Sequence, residues 1–167
     1  MIKEEIQKDL KGALKGKKAV ELSVLRMILA ALERKETEKR TNLWKKNPEL
    51  SVEELKKESK LSDEDIIGVI SSEIRKRKEA LLEFEKGGRR DLAEKEKKEI
   101  DILKKYLPEQ LSKEEIKKMA REIIEKIGAK EPRDIGKVMA ELMAKIKGRA
   151  EGGAVNKIVK DLLISND

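Results

Sequence analysis

The sequence predicts an all-α protein, with an N-terminal unit of helical hairpins or a small bundle followed by a small C-terminal unit of three helices. Three observations carry the prediction. Apolar residues recur at three- and four-residue spacing along most of the chain, the period of a helix with one buried face. Serines at the start of several such stripes are followed three residues later by an acidic residue, the pattern of a capping box. Aromatic residues make up only 2% of the sequence against 45% charged, so Leu, Ile, Val, Met and Ala must fill the interior, and an all-β core is disfavoured.

Ile2, Ile6, Leu10, Ala13 and Leu14 place a first amphipathic helix that ends near Gly16, with a turn over Gly16-Lys17-Lys18. From residue 20 to about 40, Val24, Leu25, Met27, Ile28, Ala31 and Leu32 cover more than half of a second helix, which is central in its first half. Residues 44–60 read as irregular, with a turn at Asn47-Pro48 and a capping box in Ser51-Val52-Glu53-Glu54 that opens a short helix. Ser62 with Asp65 opens a long helix whose stripe is Ile66, Ile70, Ile74, Arg77, Leu81 and Phe84, stopped by Gly87-Gly88. Asp91 is expected to cap the next helix, which carries Leu92, Ile100 and Leu103 and runs antiparallel to its predecessor until Pro108.

The proline marks a boundary, giving units 1–107 and 108–167. In the second unit Ser112-Lys113-Glu114-Glu115 caps a helix with Ile116, Met119, Ala120, Ile123 and Ile127 that closes at Gly128. Pro132 begins a helix bearing Ile135, Val138, Met139, Leu142, Met143 and Ile146, with its end at Gly148. The last helix starts around Gly153 and buries Val155, Ile158, Val159, Leu162 and Leu163. Met27, Met119, Met139 and Met143 read as core filling.

The same composition narrows the chemistry. With no cysteine and no histidine among 167 residues, disulfides, thiolate nucleophiles, imidazole bases and Cys/His metal sites are excluded. Ser23 has no histidine to activate it, which leaves only a Ser-Lys arrangement open, and the carboxylate groups Glu53-Glu54, Asp63-Glu64-Asp65 and Glu114-Glu115 fall in first helical turns, where they offset the helix dipole. No catalytic residue, metal site or cofactor is therefore expected. No apolar run is long enough to span a bilayer and the start lacks a signal-peptide core, so the expectation is a cytoplasmic protein without a membrane partner. The dominance of Lys and Glu is the bias of ion-pair networks in proteins from hot environments.

The net charge of +7 favours a polyanionic partner. It is concentrated twice. Residues 75–90 hold seven basic and three acidic side chains and read as a solvated helix face. Residues 133–160 hold the same balance, but here Lys137, Lys145, Lys147, Arg149 and Lys157 surround the glycine-rich loop Lys147-Gly148-Arg149-Ala150-Glu151-Gly152-Gly153, which leads into a helix N-terminus able to receive an anion. The spacing is not that of a Walker motif, and a simple helix-helix turn accounts for the glycines as well as an anion site does. Gly136, early in its helix, costs roughly 1 kcal/mol relative to Ala and points to close helix packing or close approach of a ligand, with packing favoured.

Leu22-Ser23-Val24-Leu25-Arg26-Met27, Tyr106-Leu107-Pro108-Glu109-Gln110-Leu111, Gly136-Lys137-Val138-Met139, Lys147-Gly148-Arg149-Ala150 and Val155-Asn156, in this order, resemble the GatB/YqeY family over nearly the whole chain. The second unit is also similar to the C-terminal tail of the B subunit of glutamine-dependent tRNA amidotransferase. The resemblance implies a family label of carbon-nitrogen ligase with glutamine as amido-N-donor. It also implies a tail that contributes to tRNA recognition, with the transamidation chemistry in other domains and subunits. The chain departs from the family pattern at Ala140, Ala144 and Glu151, where Gly, Pro and Asp are frequent, and residues 44–60 are longer than usual. The resulting expectation is a tRNA-binding or amidotransferase-accessory protein with no active site of its own. Its nucleic-acid contacts are expected at Lys137, Lys145, Lys147, Gly148, Arg149, Asn156 and Lys157. The alternatives are a helical protein-protein adaptor or a component of an amidotransferase complex.

Overall fold

A computed structural model of the chain describes residues 1–146 and 148–164. Among the described residues there are eight α-helices, one short 3-10 turn and no strand, so the fold is all-α. Contacts group the chain into two compact units, Met1–Tyr106 and Leu107–Asp167.

The first unit contains α1 (Ile2–Lys15), α2 (Ala19–Lys46), α3 (Val52–Glu58), α4 (Asp63–Lys86) and α5 (Arg90–Lys104). Its core is aliphatic: Ile6, Leu25, Ile28, Leu32, Ile66, Ile70 and Leu103 are fully buried. Ser51 and Ser62 each accept from the amide three residues on, while Glu54 and Asp65 reach back to the serine amides, so both expected capping boxes form. Each of these carboxyls is held below its usual range by those bonds, chiefly the Ser51 hydroxyl for Glu54 and the Ser62 amide for Asp65. Pairs Arg77–Glu99 and Lys97–Glu85 show α4 and α5 running antiparallel. At the end of α5 the buried Tyr106 hydroxyl donates to Asp9 Oδ2 at 2.7 Å, tying this end of the unit to α1. Burial, then the Asp9 carboxylate, pushes the Tyr106 phenol well above its ordinary value.

Three expectations need correction. The helix expected over residues 20 to about 40 continues through Trp44 to Lys46, so the irregular stretch begins later. Residues 33–46 lack an apolar stripe, and Glu, Lys and Arg sustain the helix there by their own propensity. Asp91 does not cap α5; its carboxylate accepts from Arg89, whose backbone occupies the cap position. Arg77, on the expected apolar stripe, is a largely buried ion. It sits between Glu73 Oε2 and Glu99 Oε2, both at 3.1 Å, with its guanidinium against the Met27 sulfur. Met27 is accordingly half-buried beside a charge rather than sealed in the core.

The second unit contains α6 (Lys113–Ile127), α7 (Ile135–Ile146) and α8 (Gly152–Ile164), each packed on the other two. Ile123, Val138, Leu142, Ile146, Val155 and Val159 are fully buried at its centre, with Met119, Met139 and Met143 partly buried around them. Ser112 and Glu115 form the expected capping box, and Gly128 closes α6 in the left-handed region at φ 66°, a conformation that favours glycine. Pro132 opens a 3-10 turn that leads directly into α7. The last helix begins one residue earlier than expected, at Gly152.

Candidate nucleic-acid interface

The loop between α7 and α8 is shaped by the consecutive residues Gly148 and Arg149. Gly148 adopts φ 79°, where a side chain is disfavoured, and so turns the chain out of α7. Arg149 then donates its amide to the Ile146 carbonyl at 3.0 Å, and Val155 donates to Glu151 at 3.0 Å as α8 begins. The amides of Gly152, Gly153 and Ala154 lie in the first turn, where no intrahelical carbonyl is available to them.

Three hydrogen bonds stitch this loop to the segment before α6. Leu111 donates its amide to the Arg149 carbonyl at 2.7 Å, Gln110 Nε2 donates to the Gly148 carbonyl at 3.1 Å, and Arg149 Nε donates to the Glu109 carbonyl at 3.1 Å. Gln110 Nε2 also donates to the Pro108 carbonyl at 2.9 Å, which folds the segment onto itself. Two stretches that carried the family resemblance, around Pro108 and around Arg149, therefore meet. From sequence the first is a boundary and a family motif, with nothing beyond the polar run directly after Pro108 to show that Gln110 reaches the Gly148 carbonyl.

The site residues divide into groups. Lys145, at the end of α7, and Lys157, early in α8, are exposed and have no ion-pair partner among the described residues. Asn156, beside Lys157, is also exposed. Arg149 is half-buried and commits Nε to the clamp; its charge also helps the Ser112 amide and hydroxyl, the larger causes, to hold the Glu115 carboxyl low. Lys137 stands apart. It lies eight residues before Lys145 on α7, about 12 Å along the axis, and pairs with Asp134 Oδ1 at 3.2 Å. That hydrogen bond is the main reason the Asp134 carboxyl lies below its usual range. Lys147 falls outside the described residues.

Two of the glycines flanking this surface, Gly136 and Gly153, do not serve packing. A Cβ placed on Gly136 or on Gly153 would meet nothing within 4 Å, which overturns the packing explanation of Gly136. Gly136, Ala140 and Ala144 recur at four-residue spacing and are all exposed, so one side of α7 presents backbone with little side chain over it. The arrangement offers cations, a helix N-terminus and an approachable backbone.

The whole chain can now be compared with known proteins. An uncharacterized protein of Schizosaccharomyces pombe is 45% identical over 51 residues, covering 30% of this chain and 42% of that protein. Altered inheritance of mitochondria protein 41, mitochondrial, of Candida glabrata is 30% identical over 129 residues, which cover 76% of this chain and 62% of the relative. The protein of the same name from Pyrenophora tritici-repentis is 27% identical over 162 residues, covering 95% of this chain and 78% of the relative. The chain thus spans less than two thirds of the length of the first two relatives. No helix among the described residues is long and apolar enough to cross a membrane. The YqeY-like protein family matches residues 3–163, and the chain belongs to that family.

Proposed function

We propose that this YqeY-family protein binds tRNA through its second unit, alone or as an accessory to an amidotransferase, and has no active site of its own. The observation that carries the reading is the pair Lys145 and Lys157, exposed and without ion-pair partners among the described residues on either side of the Gly148-Arg149 loop. Unpaired cations at a helix N-terminus suit phosphates. The open backbone at Gly136 suits close approach of a ribose-phosphate chain. The two units are taken to be separable, the first serving to position the second or to hold a protein partner, and the cytoplasm remains the proposed location. The label of carbon-nitrogen ligase belongs, in this reading, to the enzyme assisted.

Binding of labelled tRNA across a salt series tests the proposal. Three to five phosphate contacts should give a slope of log affinity on log salt of about −2 to −4.5. Replacing Lys145 and Lys157 with Glu should weaken binding and flatten the slope, whereas the same change at the exposed Lys11 and Lys15 of α1 should have little effect. Equal effects at both pairs would reduce the interaction to diffuse attraction. Absence of binding at low salt would favour the protein-protein adaptor, for which the hydrogen-bonded role of Arg149 is the supporting observation.

A further inference from the structure

The largest apolar side chain in the protein is outside its core. Trp44 is the sole tryptophan and is 55% exposed, although tryptophan is on average a highly buried residue. It stands near the end of α2, and its neighbours one turn away are Arg40 and Thr41 on that helix and Asn47 at its C-cap, all polar. Arg40 Nε donates to the buried Ser59 hydroxyl at 3.3 Å, which fixes this part of α2 against the end of α3. Lys45 and Lys46 follow the indole directly, both exposed and without an ion-pair partner among the described residues. Residues 39–48 contain four basic side chains and no acidic one; Lys39 is paired with Asp65 at 3.3 Å, so Lys45 and Lys46 are the two left for a ligand.

A flat aromatic surface in a basic, hydrogen-bonding surround matches an unpaired nucleotide. Every base offers a face to stack on an indole, and the flanking phosphates need cations. Docking of an apolar protein surface would call for apolar neighbours around Trp44 on its helix, and insertion into a lipid surface for an apolar helix face; this end of α2 has neither. We propose that Trp44, Lys45 and Lys46 form a second RNA contact, in which the indole stacks on an unpaired base and the two ammonium groups hold the adjoining phosphates. The proposal shares its ligand class with the tRNA-binding reading and uses a different unit and different residues.

The sole tryptophan reports on its own occupancy. Titration of the intact protein with a short single-stranded oligoadenylate should quench the indole emission saturably at low salt, and a self-complementary RNA duplex of the same length should quench far less. Trp44→Ala, measured by anisotropy of the labelled oligonucleotide, should weaken binding by roughly 5- to 150-fold, with Trp44→Phe intermediate. Lys45→Glu with Lys46→Glu should abolish the quenching, and circular dichroism should show the helices of each variant intact. Several outcomes would overturn the proposal: no quenching by the single strand, equal quenching by the duplex, or unchanged affinity in Trp44→Ala. So would saturable quenching by an acidic amphipathic peptide or by anionic phosphatidylserine vesicles without any by RNA, the peptide case bringing in Val52, 66% exposed at the start of α3. These results are independent of the Lys145 and Lys157 variants with tRNA. Either contact can therefore fail without the other.

Discussion

Residues 75–90 and residues 133–160 carry the same balance of seven basic and three acidic side chains, yet the fold pairs most bases of the first and, in the second, pairs Arg133 and Lys137 while leaving lysines beside the loop without acids among the described residues. In the first stretch the charge is largely consumed by partners. Arg77 lies between Glu73 and Glu99, Lys76 also pairs with Glu73, Lys86 with Glu83, and Arg89 with Asp91. In the second, Lys145 and Lys157 have no ion-pair partner among the described residues. Local net charge therefore does not locate a binding surface. What distinguishes the two is whether an acid lies within reach of each base, for most of the first stretch three or four residues away on the same helix and for Arg77 also on the next helix at Glu99.

The largest effect expected from this contrast is at Arg77. Its side chain is 11% exposed, as is that of Glu73, and Glu99 is 12% exposed, so removing the arginine leaves two carboxylates buried without their shared cation. Arg77→Ala should cost about 3 to 5 kcal/mol in denaturant unfolding. Replacing all three residues with apolar side chains of similar size should recover much of that loss. Burial pushes the Glu73 carboxyl up, but hydrogen bonds from Lys76 and Arg77 outweigh it and the net direction is down. A folded pKa below the unfolded one means that Glu73 stabilises the fold at neutral pH and stops doing so as pH falls through the acid range. The wild type should therefore lose stability on acidification by a step that Glu73→Gln lacks. An identical acid profile in both proteins would contradict the assignment.

A smaller and opposite change is expected at Gly136. Its backbone is helical and an added Cβ meets nothing, so Gly136→Ala should raise stability by roughly 0.5 to 1 kcal/mol. If the open backbone there receives RNA, the same variant should bind tRNA more weakly. Stability and affinity then move apart. A variant that is both more stable and equally tight would remove the start of α7 from the interface and confine it to the end of α7 at Lys145, the loop and α8.

Local patterns made most of the fold legible. The boxes at Ser51, Ser62 and Ser112 and the glycine stops at Gly87-Gly88 and Gly128 each lie within one turn of sequence, and each forms as read. The part of α2 beyond residue 40 was not legible, because its solvated face carries no apolar period to mark it. Arg77 betrayed itself by falling on an apolar stripe, but Glu99 is 22 residues away on another helix, and periodicity cannot pair them. The same limit hid the clamp. Gln110 and Gly148 are 38 residues apart, so the sequence showed two motifs without showing that one holds the other. Among the proposed contact residues, chemistry was readable while placement was not, and the one that suffers most is Lys137.

The smallest effect is expected there, and it sharpens the boundary of the interface. Lys137 is a conspicuous lysine beside Gly136, but it lies at the far end of α7 from the loop and its ammonium already faces Asp134. The Lys137 side chain is 77% exposed, so water and salt screen the pair and little stability is at stake. Lys137→Ala should leave the melting midpoint unchanged near neutral pH. On tRNA the lysine must either leave Asp134 or act at a distance from the cluster, so its removal should cost less affinity than Lys145→Ala and should change the salt slope less. The order of the two is the informative quantity, measured side by side in the same salt series. If Lys137→Ala proves the more damaging, RNA runs along the open side of α7 past Gly136, Ala140 and Ala144 and the loop is only its edge. If Lys145→Ala does, the phosphates gather at the start of α8.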